Sequence, residues 1–590
     1  MEEKIGVIDN GGQYAHLICL KIRQLGVYSE LLSTNLEKEK IKEYKGFILS
    51  GSPYSVNDRK APRVSKAIFL SEKPILGICY GMQYIAKVFG GEVKKLQARE
   101  YSKAIMKADN SSPLFLGLDK SQEVWMSHGD SVIKLPKGFK VIGFTDNCKI
   151  AAFENSDKRI YGVQFHPEVS DTKYGNKILE NFVFRICGAS KNWNMEKYLE
   201  KKLYEIKEHT YNKKVVLLAS GGVDSTVLAF MLAKALPKEN VKVFHINTGF
   251  MRKNESEKVA SALRKAGIVP EIINAESDFY NAIKDIKDPE EKRKIIGEKF
   301  ISIIEPKLNQ LDNWVLCQGT IYPDTIESGA TKHSEVIKTH HNRVGIIQRM
   351  IKKGLVLEPL SDLYKEEVRV LGRILKVPEE ILKNHPFPGP GLAVRIITVK
   401  TPKPGLQEKL EKVLKHTRYK GLVLPLKSVG VKGDARCYEH PVVLFGPKNW
   451  DELEKISIKI TNNIEGINRV VFSLQPKTFK KPKTIEDEIN KEKIELLREA
   501  DYIVEKIMRK SNYYDKVWQF PVIYAPISFT ESGGTIILRP VISKRAMTAR
   551  FAKLPWGLVD EVKKELLKLE GVNAIFYDIT NKPPATIEWE

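Results

Sequence analysis

Along the first part of the chain, short apolar runs end in glycine turns and then give way to stretches with a helical period. EKIGVIDNGGQY passes into AHLICLKIRQLGV, and the same grammar returns in KGFILSGSPYSV and in KPILGICYGMQYIAKVFGG. Runs of this kind predict parallel strands with functional turns at their C-terminal ends, an α/β layout. The segment closes near Gly188, after NFVFRICGAS, and the charged helical stretch NMEKYLEKKLYEIKEHT reads as a linker into the next domain. The first domain is therefore expected over residues 1–190.

A second α/β alternation opens with KKVVLLASGGVDSTVLAFMLAKAL and continues through VKVFHINTGF, EIINA, NWVLCQGTIYPD and LEPLSD. It ends at HPFPGPGLAVRI, whose prolines and glycines forbid a regular helix or a central strand, so the second domain is expected over 191–397. From 398 to 590 the pattern changes to α+β: helical LQEKLEKVLKH and NWDELEKISIKITNNI alternate with strand-like LKSVGVKGDARCY and HPVVLF. Within it EGINRVVFSL is echoed by EGVNAIFYDI, which predicts two similar lobes joined by the solvated stretch FKKPKTIEDEINKEK.

Composition narrows the class. With 42% hydrophobic and 29% charged residues the chain has the balance of a globular protein, and its 590 residues are too many for one core. Every apolar stretch meets charge well before the ~20 residues a membrane helix needs, and Met1 leads directly into Glu2, Glu3 and Lys4, so a cytosolic protein is expected. Six scattered cysteines without a CxxC pair read as reduced thiols. The net charge of +23 favours anionic partners, nucleotide or nucleic acid. The basic residues are interleaved with acids and carry no finger, RNP or zipper signature, which argues against dedicated nucleic-acid binding.

GICYGMQ sets Cys79 between two glycines where a strand turns into a helix, a tight elbow that exposes the thiol and lets the helix N-terminus favour thiolate. A lone cysteine is more often a buried hydrophobe. GVQFHPE adds His166 and Glu168, two apart on a strand-like run, so that alternation points both to one face: Glu168 orients the imidazole and His166 takes the thiol proton. With GVIDNGGQY and SGSP the set resembles class I glutamine amidotransferases. That resemblance implies attack of the thiolate on the glutamine amide, release of ammonia, and an oxyanion hole of backbone N–H groups at Tyr80 and Ser52. Ser52 stands where the family has the second glycine of SGGP.

Ala219-Ser220-Gly221-Gly222-Val223-Asp224-Ser225 follows an apolar strand and opens an apolar helix, so its backbone and hydroxyls are placed to receive phosphate. It lacks the GK[ST] ending of a Walker loop and resembles the PP-loop of ATP pyrophosphatases, which implies cleavage of ATP between the α and β phosphates and adenylation of a substrate oxygen. Asp224 is the candidate Mg²⁺ ligand; as an ordinary N-cap aspartate it would also serve the helix.

A glutaminase and an adenylating site on one chain describe a glutamine-dependent amination. INTGFMRKNE, EEKRKIIGEKF, QGTIYPDTIES, KTHHN, HPFPGPGLAVRI, VGVKGDAR and KPPATIEWE resemble the GMP synthase family over practically the whole chain, in its longer form with a doubled C-terminal dimerisation domain. The resemblance implies a ligase that takes glutamine, ATP and xanthosine monophosphate (XMP), a homodimer, and XMP contacts at Arg293, Asp434, Arg436, Gln519, Lys582 and Glu588. Singly, each such charge would read as a solvated surface residue. HHNRVG departs from the HHNVGG of shorter forms, which bears on a lid role for that loop. The alternatives are another glutamine-fed PP-loop amidase, such as an NAD or asparagine synthetase, and a non-catalytic nucleotide-binding interaction protein. The first group uses different glutaminases that do not fit an internal Cys79, and the intact Cys79, His166 and Glu168 argue against the second.

Overall fold

Strands β1 (Lys4–Ile8), β2 (Tyr28–Leu32), β3 (Tyr44–Leu49), β4 (Ile75–Ile78) and β9 (Ile160–Val163) run parallel, and β4 and β9 are buried throughout. Near-continuous apolar runs such as ILGI are what a parallel sheet covered on both faces requires. The computed structural model describes all residues except 1, 2, 13, 170, 311, 312, 323–349, 351–353, 400–403, 433, 434, 486, 487, 531 and 544–548. It contains two compact units, Met1–Lys201 and the described residues from Lys202 to Glu590.

In the first unit β5 (Glu92–Ala108), β6 (Ser121–Lys134), β7 (Lys140–Phe144) and β8 (Ala152–Asn155) extend the sheet to the order β2, β1, β3, β4, β9, β8, β7, β5, β6. This antiparallel half was not expected from the sequence. The long strand β6 alternates buried and more exposed positions, so it lacks the dense apolar runs that announced the parallel half. The helix Ala15–Gln24 buries Leu17, Ile18, Leu20 and Ile22 beside β1.

The second unit holds a parallel sheet in the order β12 (Glu271–Asn274), β11 (Val241–Asn247), β10 (Lys214–Leu218), β13 (Trp314–Cys317), β14 (Val356–Leu357). It also holds a seven-stranded mixed sheet built from β15 (Lys420–Val423), β16 (Ser428–Lys432), β17 (Ala435–Phe445), β18 (Ile467–Gln475), β20 (Val522–Ala525), β22 (Gly534–Leu538) and β25 (Val572–Asp578). Two ribbons, β19 (Lys483–Thr484) with β21 (Ile527–Ser528) and β23 (Val541–Ile542) with β24 (Arg550–Phe551), lie outside these sheets.

The internal echo has a structural counterpart. β15 pairs antiparallel with β17, which pairs parallel with β18 across the helix Trp450–Asn463; β20 pairs antiparallel with β22, which pairs parallel with β25 across the helix Trp556–Leu566. The echoed segments form β18 and β25, an antiparallel central pair, so the two halves close on each other as one sheet and neither leaves an inner edge open. The leading residues of the two helices, Trp450 and Trp556, stack at 3.8 Å and 10°. One apolar core then runs from Val216 and Phe244 through Leu392 and Ile396 to Tyr524 and Ile536, joining the parallel sheet to the mixed one.

Candidate active site

Cys79 follows β4 in the middle of the first sheet and caps the helix Tyr80–Val88 with φ 52°. A non-glycine residue held there stores about 1–3 kcal/mol of strain, which tight packing must impose. The flanking glycines supply it: a Cβ on Gly81 would lie 2.2 Å from the Leu49 carbonyl oxygen, and one on Gly77 2.5 Å from the carbonyl carbon of Gly81. The adjacent β3 delivers the Ser50–Ser52 turn, where a Cβ built on Gly51 would lie 3.3 Å from His166 Cε1 and 3.9 Å from Cys79 Cβ. Ser52 is not among the residues with positive φ, so its backbone requires no glycine.

β9 stops at Val163, and His166 and Glu168 lie in the turn beyond it rather than on a strand. Pro167 between them has no N–H to give to a ladder. The turn still brings the two side chains together, with His166 Nδ1 2.7 Å from Glu168 Oε1. The His166 backbone N–H donates to the Trp125 carbonyl at 3.0 Å, Thr172 Oγ1 donates to the His166 carbonyl at 2.7 Å, and the Tyr14 ring meets the imidazole edge-on at 5.2 Å. Burial alone would lower the imidazole pKa, but the Glu168 carboxylate and the Cys79 sulfur outweigh it and raise the pKa to about 10. The ring is thus held as imidazolium beside the sulfur, the state that accompanies an activated cysteine. Gln164 Nε2 donates to Cys79 Sγ at 3.6 Å.

In the second unit the loop after the central strand β10 runs Ala219 to Gly222 into the helix Val223–Ala235. Ser220 Oγ and Ser225 Oγ face each other at 3.3 Å, and Ser225 Oγ and Thr226 Oγ1 donate to the Gly222 carbonyl at 3.2 and 2.9 Å. His245, its pKa lowered by burial, bonds the Ala219 carbonyl through Nδ1 at 2.7 Å and so fixes the start of the loop. Lys365 Nζ donates to Asp224 Oδ2 at 2.6 Å, while Asp224 Oδ1 is buried without a hydrogen-bond partner. An N-terminal helix turn with clustered hydroxyls and backbone N–H groups is suited to polyphosphate.

Three family models match consecutive stretches: class-I glutamine amidotransferase at residues 6–186, NAD synthase at 194–300, and GMP synthase C terminal domain at 408–487 and 506–589. A probable glutamine-hydrolysing GMP synthase of Leptospira interrogans is 44% identical over 100% of both chains. The chain belongs to the glutamine-hydrolysing GMP synthase family. Those of Thermosipho melanesiensis and Aquifex aeolicus are 39% and 37% identical over 99% of both chains.

Of the residues that carry the GMP synthase resemblance in the second unit, Gln519 and Glu588 meet directly, with Gln519 Nε2 donating to Glu588 Oε1 at 2.7 Å. Arg293 donates to the carbonyl of Glu590, and the preceding Lys292, fully buried, pairs with the Glu590 carboxylate at 2.8 Å. Lys582 exchanges backbone hydrogen bonds with Ala549 at 2.7 and 3.1 Å. Asp434, the side chain of Arg436 and the HHNRVG loop lie outside the described residues. Sequence reasoning missed Arg395, which forks onto Glu588, as well as Asp501 and Lys292. For Arg395 a signal existed: a single charge inside the apolar run GLAVRII marks a buried ion pair.

Proposed function

We propose that this chain aminates XMP to GMP with nitrogen from glutamine, through an adenylyl-XMP intermediate. ATP is cleaved to AMP and pyrophosphate. The observation that carries the reading is the pairing, on one chain, of a buried Cys79–His166–Glu168 group with a phosphate-type loop that lacks the Walker lysine. Residues 1–190 would serve as glutaminase, 191–397 as adenylating domain and 398–590 as the XMP-completing and dimerising domain.

Cys79 Sγ attacks the glutamine amide carbon, His166 gives its proton to the departing ammonia, and water then hydrolyses the thioester. The oxyanion is met by the N–H groups of Tyr80 and Ser52. In the second unit the XMP C2 oxygen displaces pyrophosphate from the α-phosphorus. Ammonia then adds at C2 and AMP leaves. Ala219 to Ser225 hold the phosphates, and Arg293, Asp434, Arg436, Gln519, Lys582 and Glu588 hold XMP; basic side chains suit its phosphate, and Gln or carboxylate groups its sugar or base.

Mg²⁺ fits this site. It is usually bound by one or two carboxylates together with substrate phosphates, and Asp224 offers a buried oxygen without a protein partner. When bound, the ion neutralises charge on the leaving pyrophosphate. A homodimer and a cytosolic location follow from the family resemblance; among the described residues no helix is long and apolar enough to cross a membrane.

The test is a product assay with XMP, ATP, Mg²⁺ and glutamine labelled with ¹⁵N in its amide. Labelled GMP with equimolar AMP and pyrophosphate is expected. Formation of ADP and phosphate, or amination of another acceptor in place of XMP, would overturn the reading.

A further inference from the structure

The turn that ends HPFPGPGLAVRI has no role in the chemistry described so far, although its geometry is tightly determined. Gly391 sits at φ 64° with a Cβ position 2.2 Å from the Phe250 carbonyl oxygen, and Leu392 N–H donates to that same carbonyl at 2.8 Å. The backbone of this turn is thereby clamped onto the loop after β11, and the 3₁₀ turn Gly391–Arg395 delivers the Arg395 guanidinium into the interior.

Arg395 is fully buried and its donors are directed at two carboxylates. Nε and one terminal nitrogen fork onto Glu588 Oε2 and Oε1 at 3.1 and 3.0 Å, and the other terminal nitrogen meets Asp501 Oδ1 at 3.3 Å. Its guanidinium carbon lies 4.9 Å from the centroid of the Phe387 ring. Arg252, on the loop after β11, approaches the far oxygen of Asp501 at 3.6 Å and lies over the same ring at 4.4 Å. The row Arg252, Asp501, Arg395, Glu588 alternates in charge from the loop after β11 to the C-terminal motif, so each ion has an opposite neighbour.

We infer that Arg395 is a positioning residue that holds the Glu588 carboxylate in the orientation in which it accepts a hydrogen bond from XMP. A carboxylate has about four lone-pair sites. Three on Glu588 are taken, two on Oε1 by Arg395 and Gln519 and one on Oε2 by Arg395. The remaining acceptor is on Oε2, on a side chain that is 17% exposed. A planar fork fixes both the plane of the carboxylate and its rotation, which a lysine at the same position cannot do.

The inference rests on the proposal that Glu588 touches XMP, and a double-mutant cycle separates the two. Steady-state kinetics with ammonium as nitrogen source would be measured on the full-length protein, its Glu588→Gln, Arg395→Lys and double variants, and Phe387→Leu, a milder change that keeps both ion pairs and loosens the guanidinium groups of Arg395 and Arg252. Expected are a rise of roughly tenfold in KM for XMP in Arg395→Lys, a smaller rise in Phe387→Leu, and KM for ATP within about twofold of wild type in both. In the Glu588→Gln background, Arg395→Lys should add little. An unchanged KM for XMP in Glu588→Gln alone would remove the underlying site assignment. A raised KM in Glu588→Gln with no shift in Arg395→Lys and Phe387→Leu, or fully additive effects in the double variant, would overturn the positioning role. If Arg395→Lys does not fold, the Phe387→Leu value decides.

Discussion

His166 Nδ1 lies 2.7 Å from Glu168 Oε1, and the two side chains are 6% and 0% exposed. The second carboxylate oxygen, Oε2, is buried without a hydrogen-bond partner, so the imidazolium is the main compensation for this desolvated charge. Burial disfavours the charged ring, yet Glu168 and Cys79 raise its pKa to about 10.

That raised value has a consequence for stability. A group whose folded pKa lies above its ordinary 6.5 stabilises the fold fully below that pH and loses the contribution as pH rises through about 10. The stability difference between wild type and Glu168→Gln should therefore shrink steadily as pH rises from 6.5 towards 10. Thermal unfolding of both proteins across this range measures it, and a difference that grew with pH would contradict the assigned charge state.

Asp224→Asn should lower GMP formation by at least about tenfold with either glutamine or ammonium, because pyrophosphate departure is common to both routes. The scale is that of one lost charge-assisted bond, about 1.5–3 kcal/mol. The variant also loses the ion pair with Lys365. Initial rates with each nitrogen source check this, and an unchanged ammonium rate would remove Asp224 from the phosphate site.

Lys582→Ala should raise KM for XMP by roughly 10- to 150-fold while leaving KM for ATP nearly unchanged. The Lys582 backbone is already held by Ala549, so the truncation removes the charged tip and keeps that backbone bridge. Saturation curves for the two substrates test this; equal shifts in both would show a general loss of structure.

Much of this was legible in the sequence because it depends on local chemistry. The elbow at Cys79 is written in its two glycines, since the space beside Gly77 and Gly81 admits no side chain. The parallel strands were legible from apolar density; the echo announced a repeat, read as two lobes, but not that its two copies would pair as central strands of one mixed sheet. The antiparallel half of the first sheet was hidden in part because the half-exposed strand β6 alternates buried and more exposed positions without a dense apolar run. The register of His166 and Glu168 was misread as strand, although Pro167 between them argued for a turn. The lone charge in GLAVRII marked Arg395 as a buried ion, but its pairing with Asp501 was not legible, since the two lie 106 apart in sequence and no local pattern names the partner.

The most direct measurement of the whole account is GMP synthesis by Cys79→Ala with glutamine and with ammonium in parallel. The account predicts loss of glutamine-dependent synthesis with ammonium-dependent synthesis close to wild type, because the substitution removes the nucleophile of one site and nothing from the other. Glutamine-dependent synthesis near wild type, or loss of both activities in a protein that still unfolds cooperatively at the wild-type temperature, would contradict it.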